Sequence, residues 1–243
     1  MKEYRPRLNQ DDYDRYLYYQ KDASRVLVIG DLHAPFLKWG YLDFCLRIYK
    51  LYNCNEVVFI GDLLDNHYSS FHETDPDGMS AIQEFETAIK EINLWYQFFP
   101  KAKVCIGNHD LIPDRKRFTA GISDKWLKKI DEVLGTEKWE FSEEHKIENV
   151  LYNHGTGRKA RHRARDDLLS IVQGHYHSES YVEYFVGLER RIFAMQVGCG
   201  IDRRAYAMAY GRHFKKPHIN CGVVIEGRTA ILEYMELGKD KSG

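Results

Sequence analysis

Four short apolar runs in this chain each stop on a glycine and then on a residue able to bind a metal ion, which limits the folds open to it. Arg25-Val26-Leu27-Val28-Ile29-Gly30 leads into Asp31, and Glu56-Val57-Val58-Phe59-Ile60-Gly61 leads into Asp62. Lys103-Val104-Cys105-Ile106-Gly107 leads into Asn108 and His109, and Ser170-Ile171-Val172-Gln173-Gly174 leads into His175. Apolar, β-branched runs of this length read as strands buried on both faces. In open α/β sheets the carboxyl ends of such strands border a common crevice, so residues distant in sequence converge there. The glycine before each polar residue is read as the point where the backbone turns and approaches an ion.

The stretches between the runs set the class. Residues 36–52 and 79–99 alternate with the first three strands and read as helices. In the second, Met79, Ile82, Phe85, Ile89, Ile92, Tyr96 and Phe99 recur at steps of three and four, predicting one core-facing stripe. Residues 147–153, 181–186, 190–198 and 221–235 read as strands joined by polar turns, including Glu226-Gly227-Arg228. Helices alternating with strands, then mostly strands, predict an α/β (α+β) chain of two packed mixed sheets flanked by helices. A chain of 243 residues, 44% hydrophobic, can bury one sizeable core. Because the polar strand ends are spread along the sequence, residues 1–243 are expected to form one domain. Within it, residues 1–24, carrying Tyr4, Tyr13, Tyr16, Tyr18 and Tyr19, read as an N-terminal arm that packs on the domain, with stacking on bases as the alternative. Residues 111–146 read as a helical insertion over the site.

Seven residues form the candidate ligand set: Asp31, His33, Asp62, Asn108, His154, His175 and His177. Carboxylate, amide and imidazole donors suit manganese, iron, zinc or nickel, and no cysteine takes part. In Asp31-x-His33 and His175-x-His177 the spacing sends both side chains to one side of an extended backbone, as chelation requires. Seven ligands exceed the four of a closed structural zinc site and suit two ions with open positions.

Taken in order, Asp31-x-His33, Gly61-Asp62-x-x-Asp65, Gly107-Asn108-His109-Asp110, Asn153-His154 and Gly174-His175-x-His177 resemble the motifs of calcineurin-like metallophosphoesterases. That resemblance implies a four-layer αββα sandwich and metal-dependent hydrolysis of phosphoesters. It implies two divalent ions as cofactors, with Mn²⁺ favoured over Fe, Zn, Ni or Mg. Asp31, His33 and His177 would hold the first ion, Asn108, His154 and His175 the second, and Asp62 would bridge both. The nucleophile would be a bridging water or hydroxide, since a metal lowers the pKa of bound water to about 7. His109 would protonate the leaving oxygen and Asp65 would orient it, consistent with an imidazole that titrates near neutrality beside a carboxylate.

Departures from the family pattern bear on the substrate. Protein Ser/Thr phosphatases of this superfamily carry arginines where this chain has Asn66 and Ile112. A dianionic monoester benefits from bidentate guanidinium contacts, so their absence favours a phosphodiester, with nucleic acid or a nucleotide as the expected partner. One source of positive charge is Arg158-Lys159-Ala160-Arg161-His162-Arg163-Ala164-Arg165, where helical spacing places Arg158, Arg161 and Arg165 on one face as candidate substrate contacts. Arg203-Arg204 and Lys215-Lys216 would widen that patch. The alternatives are a phosphomonoesterase and a non-catalytic binding scaffold. A scaffold is expected to have lost ligands or the acid, and this chain keeps them. The remaining histidines, His67, His72, His145, His162, His213 and His218, read as solvent-facing or locally bonded.

Net charge is −1, so any polyanion binding must depend on local patches. Five scattered cysteines without C-x-x-C spacing suggest buried thiols in a reducing compartment. With no apolar leader core after Met1 and no long apolar run, the protein is expected to be soluble and cytoplasmic, without a membrane partner.

Overall fold

The computed structural model of the chain describes residues 23–71, 77–202, 204–205 and 216–236. Its centre is β1 (Arg25–Ile29), whose Leu27 and Ile29 point to one face and Val26 and Val28 to the other, all fully buried. Parallel to it run β2 (Glu56–Phe59), β3 (Ala102–Cys105) and β4 (Trp139–Ser142). On its other side β10 (Asn220–Ile225) and β11 (Thr229–Tyr234) add antiparallel, giving the order β11-β10-β1-β2-β3-β4. The second sheet contains β5 (Glu144–Ile147), β6 (Val150–Asn153), β7 (Ser170–Gln173), β8 (Tyr181–Val186) and β9 (Arg191–Gln196), in the order β5-β6-β7-β9-β8.

Three apolar cores separate four layers. Helices α1 (Tyr41–Leu51) and α2 (Ala81–Phe98) cover one face of the first sheet, packing Tyr41, Phe44, Ile92 and Trp95 against Leu27, Ile29, Phe59 and Val104. Between the sheets lie Val26, Val28, Val58, Ile60, Tyr152, Val172, Phe193 and Met195. A third, smaller core joins Ala160 and Ala164 of the later helix Ala160–Asp167 to Ile171 and Ala194. Both sheets are mixed and flanked by helices, as predicted.

Several local expectations change. Helix α2 begins at a capping box, in which Ser80 Oγ accepts from Gln83 N and Gln83 Oε1 accepts from Ser80 N at 3.0 Å. Its buried face is Ala88, Ile92 and Trp95, continued by Phe99. Ile82 and Phe85, expected in the core stripe, are 60% and 40% exposed, because the first turns of α2 carry no cover from the sheet core. The segment 111–146 is helical only in part, as α3 (Ile112–Thr119) and α4 (Ile130–Leu134). Its remainder supplies β4 and β5, an integral strand for each sheet, so it is not a pure insertion. The expected strand 147–153 is divided by the β5–β6 hairpin, where Glu148 takes a φ of 53°. The tyrosines expected in the arm, at positions 4 to 19, lie outside the described residues, as do His72, Arg203, His213 and Lys215.

Candidate metal centre

The seven expected ligand residues come together where the carboxyl ends of both sheets meet. Asp31, His33, Asp62 and Asn108 leave β1, β2 and β3, while His154, His175 and His177 leave β6 and β7. Donor atoms of Asp31, His33 and His177 lie within 4.8 Å of one another, as do those of Asp62, His154 and His175. A third such group joins His33 and Asp62 to His109. In the first group His177 Nε2 stands 2.9 Å from Asp31 Oδ2, and His33 Nε2 stands 3.5 Å from Asp62 Oδ2. In the second, His154 Nε2 is 3.1 Å from Asp62 Oδ2, 3.0 Å from Asn108 Oδ1 and 3.2 Å from His175 Nδ1. Asp62 therefore faces both groups.

This donor set fits metal ions on its own chemistry. Asp31 Oδ1 and His33 Nε2 are buried without any hydrogen-bond partner, an arrangement that costs about 1–3 kcal/mol per group unless something else satisfies them. Two imidazole nitrogens and two oxygens crowded around one point call for a cation between them rather than for hydrogen bonds among themselves. Electrostatics agree. Burial works against the charged form of Asp62, yet His154, His33 and His109 hold its carboxyl well below the usual range. Burial together with the neighbouring His154 pulls the His175 imidazole down, which favours the neutral, ligating form.

Backbone strain gathers at the same place. The candidate ligands His33, Asp62 and His175 themselves occupy the left-handed region, with φ of 49°, 45° and 70°. Such residues cost on the order of 1–3 kcal/mol each and persist where the surroundings over-determine them. The turn therefore falls largely on the ligands rather than on the glycines ahead of them. Gly61 is the exception, at a φ of 119° and with the His154 ring lying where a β-carbon would project. Gly107 is needed for space instead, since a β-carbon there would collide with the Asp62 carboxylate.

Asp65, expected to orient His109, faces two histidines. Its carboxylate Oδ1 bonds His33 Nδ1 at 2.6 Å and stays 3.8 Å from His109 Nδ1. His109 Nδ1 instead donates to the Asp65 backbone oxygen at 2.6 Å, and Asn66 Nδ2 donates to the His109 backbone oxygen at 2.9 Å. Burial lowers the His109 imidazole, but Asp62 and Asp65 outweigh it and the net direction is upward. Sequence reasoning passed over Asp110. Its buried carboxylate accepts from Leu64 N at 3.1 Å and Gly107 N at 2.9 Å, tying two ligand loops together. Burial and the Asp62 charge push its pKa up to about 7. The last position of the Gly107-Asn108-His109-Asp110 motif was the available signal. His67, expected at the surface or in a local bond, is buried near the Phe36 ring.

The basic segment folds against expectation. Arg158 precedes α5 (Ala160–Asp167) and pairs with Asp166 at 2.7 Å. Arg161 and Arg165 both turn to Glu183 of β8, lying over the rings of Tyr181 and Phe185. Because Ala160 and Ala164 face the sheet, positions 161 and 165 flank them on the β8 side, while Arg163 falls on the other flank. Arg163, not among the expected contacts, lines a cleft with Asn108, His154 and Arg158, although Glu144 and Asp167 pair with it. The two alanines four residues apart, which mark the packed face, were the signal for it. Arg204 likewise pairs with Asp202 at 3.4 Å.

Residues 24–195 match the family model for calcineurin-like phosphoesterases, and the chain belongs to that family. Phosphoester hydrolysis at a dinuclear metal centre is the family's general chemistry, and the clustered aspartates and histidines suit it. No curated protein sequence matches the chain. Among solved structures it is similar to nuclease MPE of Pseudomonas putida, at 15% identity over 74% of this chain and 75% of that one, with a TM-score of 0.38. It is also similar to vacuolar protein sorting 29 of Cryptosporidium parvum, at 13% identity, 88% and 99% coverage and a TM-score of 0.42. YfcE, a phosphoesterase of E. coli, shows 12% identity, 87% and 100% coverage and a TM-score of 0.38. Likeness at this level carries no inference about activity. Among the described residues no helix is long and apolar enough to cross a membrane, and all five cysteines are buried and free of disulfides.

Proposed function

We propose that the chain is a phosphodiesterase using two divalent ions, Mn²⁺ in the first instance, on nucleotide or nucleic-acid diesters in the cytoplasm. The observation that carries the reading is the pair of candidate ligand groups facing Asp62, with His109 beside them and two buried ligand-type atoms lacking a hydrogen-bond partner. Asp31, His33 and His177 would hold one ion, Asn108, His154 and His175 the other, with Asp62 shared. Ions held there would supply Lewis-acid charge and an activated water at neutral pH.

The chain's own groups do the rest. His109 is fixed through Nδ1 to the Asp65 carbonyl, which leaves Nε2 to carry a proton toward the leaving oxygen. Burial works against its charged form, but Asp62 and Asp65 outweigh this, a direction that favours the protonated imidazole. Asp65 orients His33 rather than the acid. At the two positions where monoester-cleaving relatives carry arginine, Asn66 is engaged with His109 and Ile112 is buried. Neither offers a guanidinium to a dianion, which supports a diester substrate. Arg161 and Arg165 pair with Glu183, whereas Arg158 and Arg163 line the cleft that Asn108 and His154 border, which favours these two as the substrate contacts.

The test is Mn²⁺-dependent hydrolysis of bis-p-nitrophenyl phosphate, p-nitrophenyl phosphate and a short single-stranded DNA. Diester or DNA cleavage should fall on the order of 10²–10⁴-fold in His109→Ala and be lost in Asp62→Asn. Cleavage of the monoester alone would replace this reading with phosphomonoesterase activity. Silence with every metal would leave a binding scaffold.

A further inference from the structure

We propose that the apolar cleft beside the His109 loop is the leaving-group subsite and takes a planar aromatic group, such as a nucleobase. This rests on His109 being the proton donor to the leaving oxygen, because the side of the substrate that it faces is then the leaving side. The cleft has a volume of about 510 Å³, within the range of small-molecule sites. Two of its lining residues belong to the loops that carry the acid. Asn66 lines it and holds the His109 backbone, and Asp110 lines it one residue beyond His109. The rest of the wall is mostly apolar, with Leu64, Phe85, Leu127 and Val133 among its residues.

The apolar side chains at its mouth are exposed among the described residues. Ile82 is 60% exposed, Phe85 40% and Leu127 44%, around a floor that includes buried Leu64 and Ala88. Large apolar groups around a concave site with a few polar residues at its edge are the usual lining of a ring-binding pocket. Tyr68 and Phe85 offer faces on which a base can stack, and stacking of this kind tolerates any base. Ser69, Asp114 and Lys128 stand among the lining residues as hydrogen-bonding groups for a ring edge. The metal-side cleft bordered by Asn108, His154 and Arg163 has an opposite character, with paired acids and arginines. The two clefts therefore distinguish the ends of an asymmetric diester.

The experiment uses the Mn²⁺-loaded full chain and three thymidine dinucleotides: one intact, one abasic at the first nucleoside and one abasic at the second. Product analysis identifies which nucleoside leaves. Removing the base from the leaving nucleoside should lower kcat/KM about tenfold, by loss of stacking, and more than removing the other base. Phe85→Ala and Ile82→Gln, both at exposed positions, should bring that intact-to-abasic ratio toward one. The ratio is taken within each variant, so partial loss of folded protein cancels. Equal cleavage of the intact and leaving-side abasic compounds, or a ratio unchanged in both variants, would overturn the subsite while leaving the phosphodiesterase reading intact. Failure to cleave any of the three would overturn both.

Discussion

At the scale of single residues, the side chain of Asp65 ranks with the ligands although it is not one. A second partner on the far nitrogen of a metal-binding histidine fixes its tautomer and direction, and its loss typically costs 10–100-fold in metal affinity. With Oδ1 at 2.6 Å from His33 Nδ1, Asp65→Asn should weaken Mn²⁺ binding by about that factor in calorimetric titration. Excess Mn²⁺ should then restore most activity, because His109 is held by the backbone of residue 65 and not by its carboxylate. If metal affinity is unchanged and activity stays low at saturating metal, Asp65 acts on His109 after all. Which residues would cluster was legible in the chain; the partner of Asp65 was not. Its carboxylate reaches His33 because the loops after β1 and β2 are pinned together, with His33 N and Leu32 N both donating to Asp62 O.

At the scale of elements, the first turns of α2 show how a periodic stripe misleads. The three-four spacing correctly marks a helix, and Ile92 is buried as the stripe predicts. Near the start of the helix the buried residue is instead Glu84, whose carboxylate accepts from His67 N at 2.7 Å and Tyr68 N at 3.1 Å and so anchors the short helical turn after the second metal loop. Burial raises the Glu84 carboxyl above its ordinary value, the two N–H donors oppose this, and Asp65 adds to it. The folded protein thus binds this proton more tightly than the unfolded chain. Its contribution to stability is complete below the ordinary glutamate pKa of about 4.3 and is lost as pH rises from there through the raised value. Urea unfolding at stepped pH should show that decline in the native protein and not in Glu84→Gln. At neutral pH the variant should be less stable by about 1–3 kcal/mol, since His67 N and Tyr68 N bond different carboxylate oxygens and the amide nitrogen replacing one of them cannot accept. A pH profile identical in both proteins would count against the assignment. In α5 the same limit applies: arginine spacing was readable, whereas the direction of each guanidinium depended on where β8 places Glu183.

At the scale of the whole molecule, the centre exists because two sheets meet. The first sheet contributes Asp31, His33, Asp62 and Asn108, and the second His154, His175 and His177, across the core built by Val26, Val58, Tyr152 and Val172. Ions that bind only this assembled state must stabilise it, by about 2.7 kcal/mol at a hundredfold excess over Kd. Mn²⁺ should therefore raise Tm, a chelator should reverse the rise, and Asp62→Asn should abolish most of it; an undiminished response in that variant would place the ion elsewhere. The sequence by itself determined the buried strands, through unbroken β-branched runs, and the ligand types, through the polar residues that end those runs. Their order also made the family recognisable. Only the tertiary structure decided which groups meet: Asp65 with His33, Asp110 with the Gly107 and Leu64 amides, Glu183 with two arginines, and the exposed start of α2 with the apolar cleft. The reason is physical. Periodicity and local chemistry act over a few residues, whereas these contacts join elements tens of residues apart and depend on how twisted layers pack.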